Sequence, residues 1–188
     1  MFRRLCFCFM LGLYVGTGLL PVLPEPARAE TAPVVVVSLP AQAFFVRELA
    51  PAGANIQVMF RPGVSHETFE PSMAQVRALS ETRVYFKLGH PRFSFESGWL
   101  NKFLKENTSA EVIDCAAGIP LRDDDIHIWL SPKRMPRMVE NIAAGLKRVY
   151  PPDEAAIEGK KQIMLETIFA VEAEIATTLQ AFRGRATC

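Results

Sequence analysis

A chain of 188 residues carrying 21 basic and 20 acidic side chains has a formal charge of +1. So even a balance gives no electrostatic footprint for nucleic acid or for an anionic membrane surface. The length allows one domain with a substantial core.

Residues 1–29 read as an export signal. Arg3 and Arg4 form a positive start, Leu5 to Leu20 an apolar run, and Ala27-Arg28-Ala29 a small-x-small cleavage site. Gly12, Gly16, Gly18 and Pro21 argue against an uncleaved membrane anchor. Cleavage after Ala29 leaves 159 of the 188 residues, too few for two similar lobes. Cys6 and Cys8 lie too early for a lipid-modified amino terminus. Cys115 reads as a small buried hydrophobe at a strand end, and Cys188 belongs to a frayed tail over 183–188.

The next segments alternate. Pro33 to Leu39, with four consecutive valines, predicts a fully buried strand, and Pro40 to Leu49 a helix with Phe44, Phe45 and Leu49 on its apolar side. Asn55 to Phe60 is a second strand, followed by a loop and a helix from Pro71. Arg83 to Leu88, a helix over Phe95 to Glu106, and a short strand over Glu111 to Ile113 continue the pattern. Strand followed by helix, repeated, argues for an α/β fold with a parallel sheet and flanking helices. Ser131-Pro132 reads as a helix start, with Ser at the N-cap and Pro at the first position of a helix reaching Val149. Pro151-Pro152 interrupts the chain. Asp153 to Phe182 then predicts one long helix, with Ile157, Met164, Ile168, Val171, Ile175, Leu179 and Phe182 along a stripe.

Two places carry chemistry. His66 and Glu67 lie in the loop from Arg61 to Pro71, at the carboxyl end of the second strand, where parallel sheets gather ligands. Imidazole and carboxylate are ordinary first-row metal ligands. His127 lies about two βα units further on, in an apolar setting just before Ser131-Pro132. Two such units return the chain to the same sheet edge. Asp123 to Asp125 read as a solvated turn, with Asp125 placed to orient His127. His90, before Pro91, reads as a solvated loop histidine.

Pro62-Gly63-Val64-Ser65 with Thr68-Phe69-Glu70-Pro71, and Asp125-Ile126-His127-Ile128-Trp129-Leu130-Ser131-Pro132, resemble motifs of the zinc- and manganese-binding proteins of bacterial ABC importers. Tyr85 to Gly89 and Glu96 to Leu100 share that resemblance. It implies a periplasmic protein that binds a divalent metal, zinc ahead of manganese, and passes it to an importer's membrane permease. His127 matches a ligand histidine. The family's other motif, Pro-Gly-x-Ser-Pro-His-Thr, puts its ligand histidine where this chain has Glu67 and proline where it has His66. Either His66 ligates from one place earlier or Glu67 ligates as a carboxylate.

The resemblance also implies domains: a metal-binding lobe over 30–150 and a helix over 151–182 linking to a second lobe. That lobe is absent from the chain, which gives a truncated reading. Self-association through the long helix is expected from its apolar stripe. The competing class is a metal-dependent hydrolase with Glu67 as general base. Such an enzyme needs three protein ligands and an open position, and Glu67 is followed by Thr68-Phe69-Glu70 rather than by a His-Glu-x-x-His spacing. A family fragment without transport activity is the third reading.

Overall fold

The computed structural model describes residues 32–61, 63–64, 69–105, 107–122 and 125–182, apart from the side chains of Asn101 and Leu104. Four strands, β1 (Val34–Val37), β2 (Asn55–Val58), β3 (Thr82–Lys87) and β4 (Glu111–Asp114), pair in the order β2-β1-β3-β4, all parallel. The helices are α1 (Pro40–Leu49), α2 (Met73–Glu81), α3 (Asn101–Leu104), α4 (Met135–Val149) and α5 (Glu154–Gln180). Contacts join α1, α4 and α5 to one another, and α2 to α3, while β1 touches both α1 and α2.

The valines of β1 explain this layering. Val35, Val36 and Val37 are all fully buried, as an inner parallel strand covered on both faces requires. Tyr85 and Phe86 of β3 are equally buried beside them. A second cluster closes the carboxyl end of the sheet. Phe60 meets Phe69, Phe93 and Phe95 at centroid separations of 4.1, 5.1 and 5.3 Å.

Some expectations needed correction. Phe44 is 56 % exposed, and Gln42, Phe45, Val46 and Leu49 form the buried side of α1. Adjacent residues on a helix point about a quarter turn apart, so the Phe44-Phe45 pair could not both face the sheet. The helix expected from Phe95 opens as a π-helical turn over Glu96–Leu100 before α3. The helix expected from Pro132 begins at Met135. Ser131 accepts from the backbone of Arg134 and Met135 without its side chain capping anything. Pro136 has no N–H to give the Pro132 carbonyl, so a regular helix cannot run through that position.

Helix α5 has 27 residues. Ile157, Leu165 and Ile168 bury against the body, whereas Val171, Ile175, Leu179 and Phe182 stay exposed. Lys160 donates to the Ala50 carbonyl at 2.6 Å, fastening the first half of α5 to the end of α1.

Candidate metal centre

The strand order reverses between β1 and β3, which makes the carboxyl ends of those two strands the natural crevice of the sheet. Here the crevice is filled by the chain's own polar side chains. Glu96 is buried, and its carboxylate accepts from the backbone of Leu88 and, at 2.8 Å, of Gly89. Ser38 donates to the same carboxylate and shares a 2.6 Å hydrogen bond with the Tyr85 hydroxyl. Burial pushes the Glu96 carboxyl above its usual range, while the Ser38 hydroxyl and the two N–H groups pull it back. Burial, with the nearby Glu96 charge, also pushes the Tyr85 phenol far up, so it stays protonated. The cluster ties β1, β3 and the following loop together; every polar atom named in it has a partner.

The histidine further along is exposed and held by its own segment. Arg122 and Asp125 form an isolated antiparallel bridge, and Ile128–Leu130 make a single 3-10 turn. Between them, Asp125 Oδ1 accepts from both the backbone N–H and the Nδ1 of His127, each at 2.9 Å. These two hydrogen bonds hold the Asp125 carboxyl below its usual range. With the proton on Nδ1 facing the carboxylate, the lone pair of Nε2 is left for a ligand. The imidazole is 56 % exposed, with the Trp129 ring edge-on at 5.1 Å, so its surroundings are more open than the apolar neighbours in sequence indicate.

His66 and Glu67 lie outside the described residues, and so do Asp123 and Asp124. Both flanks of the first pair are described. Phe69 is packed on Phe60 and Phe95. Gln75 reaches across to the other flank, donating to the Met59 carbonyl at 2.5 Å while its own oxygen accepts from the Ser72 backbone, so α2 is pinned to the end of β2. The described residues on either side of this loop are thus held at the sheet edge.

Among the described residues, the remaining imidazole and the free thiol are committed elsewhere. His90 is 3 % exposed, so it is not the solvated histidine expected before Pro91. Its Nε2 bonds to the Arg122 carbonyl at 2.9 Å, and its Nδ1 accepts from the Arg92 backbone at 3.2 Å. Neither nitrogen is available to an ion. Cys115 is fully buried as expected, with Gln42 donating to its sulfur at 3.2 Å, and burial pushes its thiol far from ionisation. Among the described residues no group of three or more His, Cys, Asp or Glu side chains converges on a metal-sized space. No described helix is long and apolar enough to cross a membrane.

The model of the family of zinc-uptake complex component A, ZnuA, a periplasmic component, matches residues 35–187. The chain belongs to the ZnuA family. A crystal structure of ZnuA superposes with a TM-score of 0.72 at 30% identity, covering 82% of this chain and 61% of that one. A zinc-bound ZnuA deletion mutant gives 0.70 at 30% identity, with 79% and 59% covered. Zinc-bound AdcA from Streptococcus pneumoniae, 21% identical, shares the fold with a TM-score of 0.65 over 77% of this chain and 32% of its own. None of the curated proteins matches in sequence. The chain therefore spans about three-fifths of the length of the ZnuA structures it matches. The family is that of a periplasmic component of a zinc-uptake complex.

Proposed function

We propose that this protein captures a divalent transition metal outside the cytoplasm, zinc ahead of manganese, and delivers it to the membrane permease of an ABC importer. The observation that carries the reading is the Asp125–His127 pair, in which a carboxylate fixes the imidazole and leaves Nε2 outward. A neutral imidazole suits zinc, and membership of the zinc-uptake family supports the same ion. Glu67 or His66 supplies the next donor from the loop ahead of Phe69; a carboxylate there brings manganese closer in preference. Residues 1–29 export the chain, 30–150 form the metal-binding lobe, and 151–182 form the linking helix, whose exposed apolar stripe is the surface for self-association.

With two protein donors from this lobe, the ion keeps open coordination positions that another protein surface or water must fill. A chelator-competition titration with zinc and with manganese, beside His127→Ala, Glu67→Ala and His66→Ala, tests the reading. Tight one-to-one binding that collapses in His127→Ala supports a metal receptor, and the two loop variants identify the second donor. Weak binding indifferent to His127→Ala sinks it and leaves a family fragment without transport activity.

A further inference from the structure

The geometry points to His90 as the positioning residue of the Asp125–His127 pair, a role that rests on reading His127 as a metal ligand. The Arg122 carbonyl receives two donors, the Asp125 backbone N–H at 3.3 Å and the buried His90 imidazole at 2.9 Å. Because Nδ1 of His90 already accepts from the Arg92 backbone, the ring proton sits on Nε2 and points at that carbonyl.

His90 is itself held from the sheet. Gly89 donates to Glu96 at 2.8 Å, and the Phe93 N–H closes a turn onto the His90 carbonyl at 3.0 Å. A continuous path therefore runs from the end of β3 through His90 to the Arg122 carbonyl, then through Asp125 to the ring of His127. The path spans thirty-two positions in its one long step. An apolar side chain would fill the same space, yet only a side chain that donates at this reach holds the backbone ahead of Asp125. His90 stands three hydrogen bonds behind the ligand, through Arg122 and Asp125. Loss of a partner bonded directly to a metal ligand typically lowers affinity about 10- to 100-fold, and loss of His90, acting through Asp125, falls at or below the lower end of that range.

Three substitutions separate the two nitrogens. In His90→Gln the amide nitrogen sits as many bonds from Cβ as Nε2 does, so the donor to Arg122 survives. In His90→Asn the amide oxygen replaces Nδ1, so the Arg92 bond survives and the long donor is lost. His90→Ala loses both. Two readouts are taken on the folded protein: zinc affinity by chelator competition, and the His127 ring tautomer in the metal-free protein by 15N NMR. Parent affinity and an Nδ1–H tautomer in the glutamine variant, with affinity several-fold to about tenfold lower and the tautomer lost in the asparagine variant, are expected. Thermal melts show whether the two amide variants are equally stable, and if the alanine variant fails to fold their comparison still decides. Parent tautomer and affinity in His90→Asn, or a glutamine variant as weak as the asparagine one, would overturn the assignment. If zinc affinity of the parent ignores His127→Ala, the ligand reading has failed, and the metal-free tautomer of His127 alone decides for or against His90.

Discussion

Ser38 donates a hydrogen bond to the carboxylate of Glu96 across fifty-eight positions of sequence, joining the end of β1 to the turn that opens the helix after β3. In parallel sheets this is where a ligand commonly lies. Here an acid of the chain occupies the place, and the exposed donor atom, Nε2 of His127, belongs to a later loop.

Glu96→Gln should destabilise the protein even though it removes a buried charge. The carboxylate accepts from two backbone N–H groups and a hydroxyl, and an amide must turn its NH2 toward one of them. A buried donor left unpaired costs about 1–3 kcal/mol. The folded carboxyl is raised above its unfolded value, so its contribution is fully present below the unfolded pKa and declines as pH rises through the folded one. Urea midpoints taken across the acidic range should therefore show that decline in the parent and lose it in the variant; an unchanged pH profile would contradict the argument.

Asp125→Asn should weaken zinc binding about tenfold while leaving the melting temperature nearly unchanged. The amide oxygen can still accept from the His127 backbone, but the negative charge that favours a proton on Nδ1 is gone. Equal zinc affinities in the two proteins would show that the pairing does not serve the ion.

Gly145→Ala sets two known effects against each other. Alanine gains about 1 kcal/mol of helix propensity in α4. A Cβ at this point, however, would lie 2.7 Å from a ring carbon of Phe86 and 2.8 Å from Ile113, both buried in strands. Overpacking of this kind costs about 1–3 kcal/mol, so the net change should be a loss. A raised denaturation midpoint would mean that α4 can move off the sheet more easily than its packing implies.

Acid should loosen the junction of α4 and α5. Glu158 accepts from Lys161 and Lys147, at 2.5 and 3.1 Å, and its carboxyl is held down to about 2. A depressed carboxylate stabilises above its unfolded pKa, and that contribution disappears as pH falls toward about 2. The side chain is partly exposed, so the effect is small and salt should shrink it further. Denaturant midpoints of Glu158→Gln should fall less steeply with acid than those of the parent; parallel curves would remove the pair from the account.

Much of the fold was legible because it rests on local pattern. Four valines in a row specify an inner parallel strand, and Pro40 to Leu49 forms the helix its apolar spacing predicts. His127 and its orienting Asp125 could be singled out because both lie within one short segment. What was hidden depends on partners far away in sequence. Nothing in the local sequence marks Glu96 as buried; its partners Ser38, Leu88 and Gly89 come together around it only in the fold. His90 beside Pro91 looks exposed until the Arg122 carbonyl arrives. The late start of α4 was readable from Pro136, whose missing N–H outweighs the Ser131-Pro132 signal.

The uneven docking of α5 makes it a lever. Its fulcrum is the stretch from Ile157 to Ile168, and Leu179 lies about 16 Å beyond that along the helix axis. A tilt of about 10° at the fulcrum carries Leu179 through roughly 3 Å, a displacement larger than most core side chains could absorb. Small repacking around Ile168 is thereby converted into ångström-scale travel at the far end of the helix.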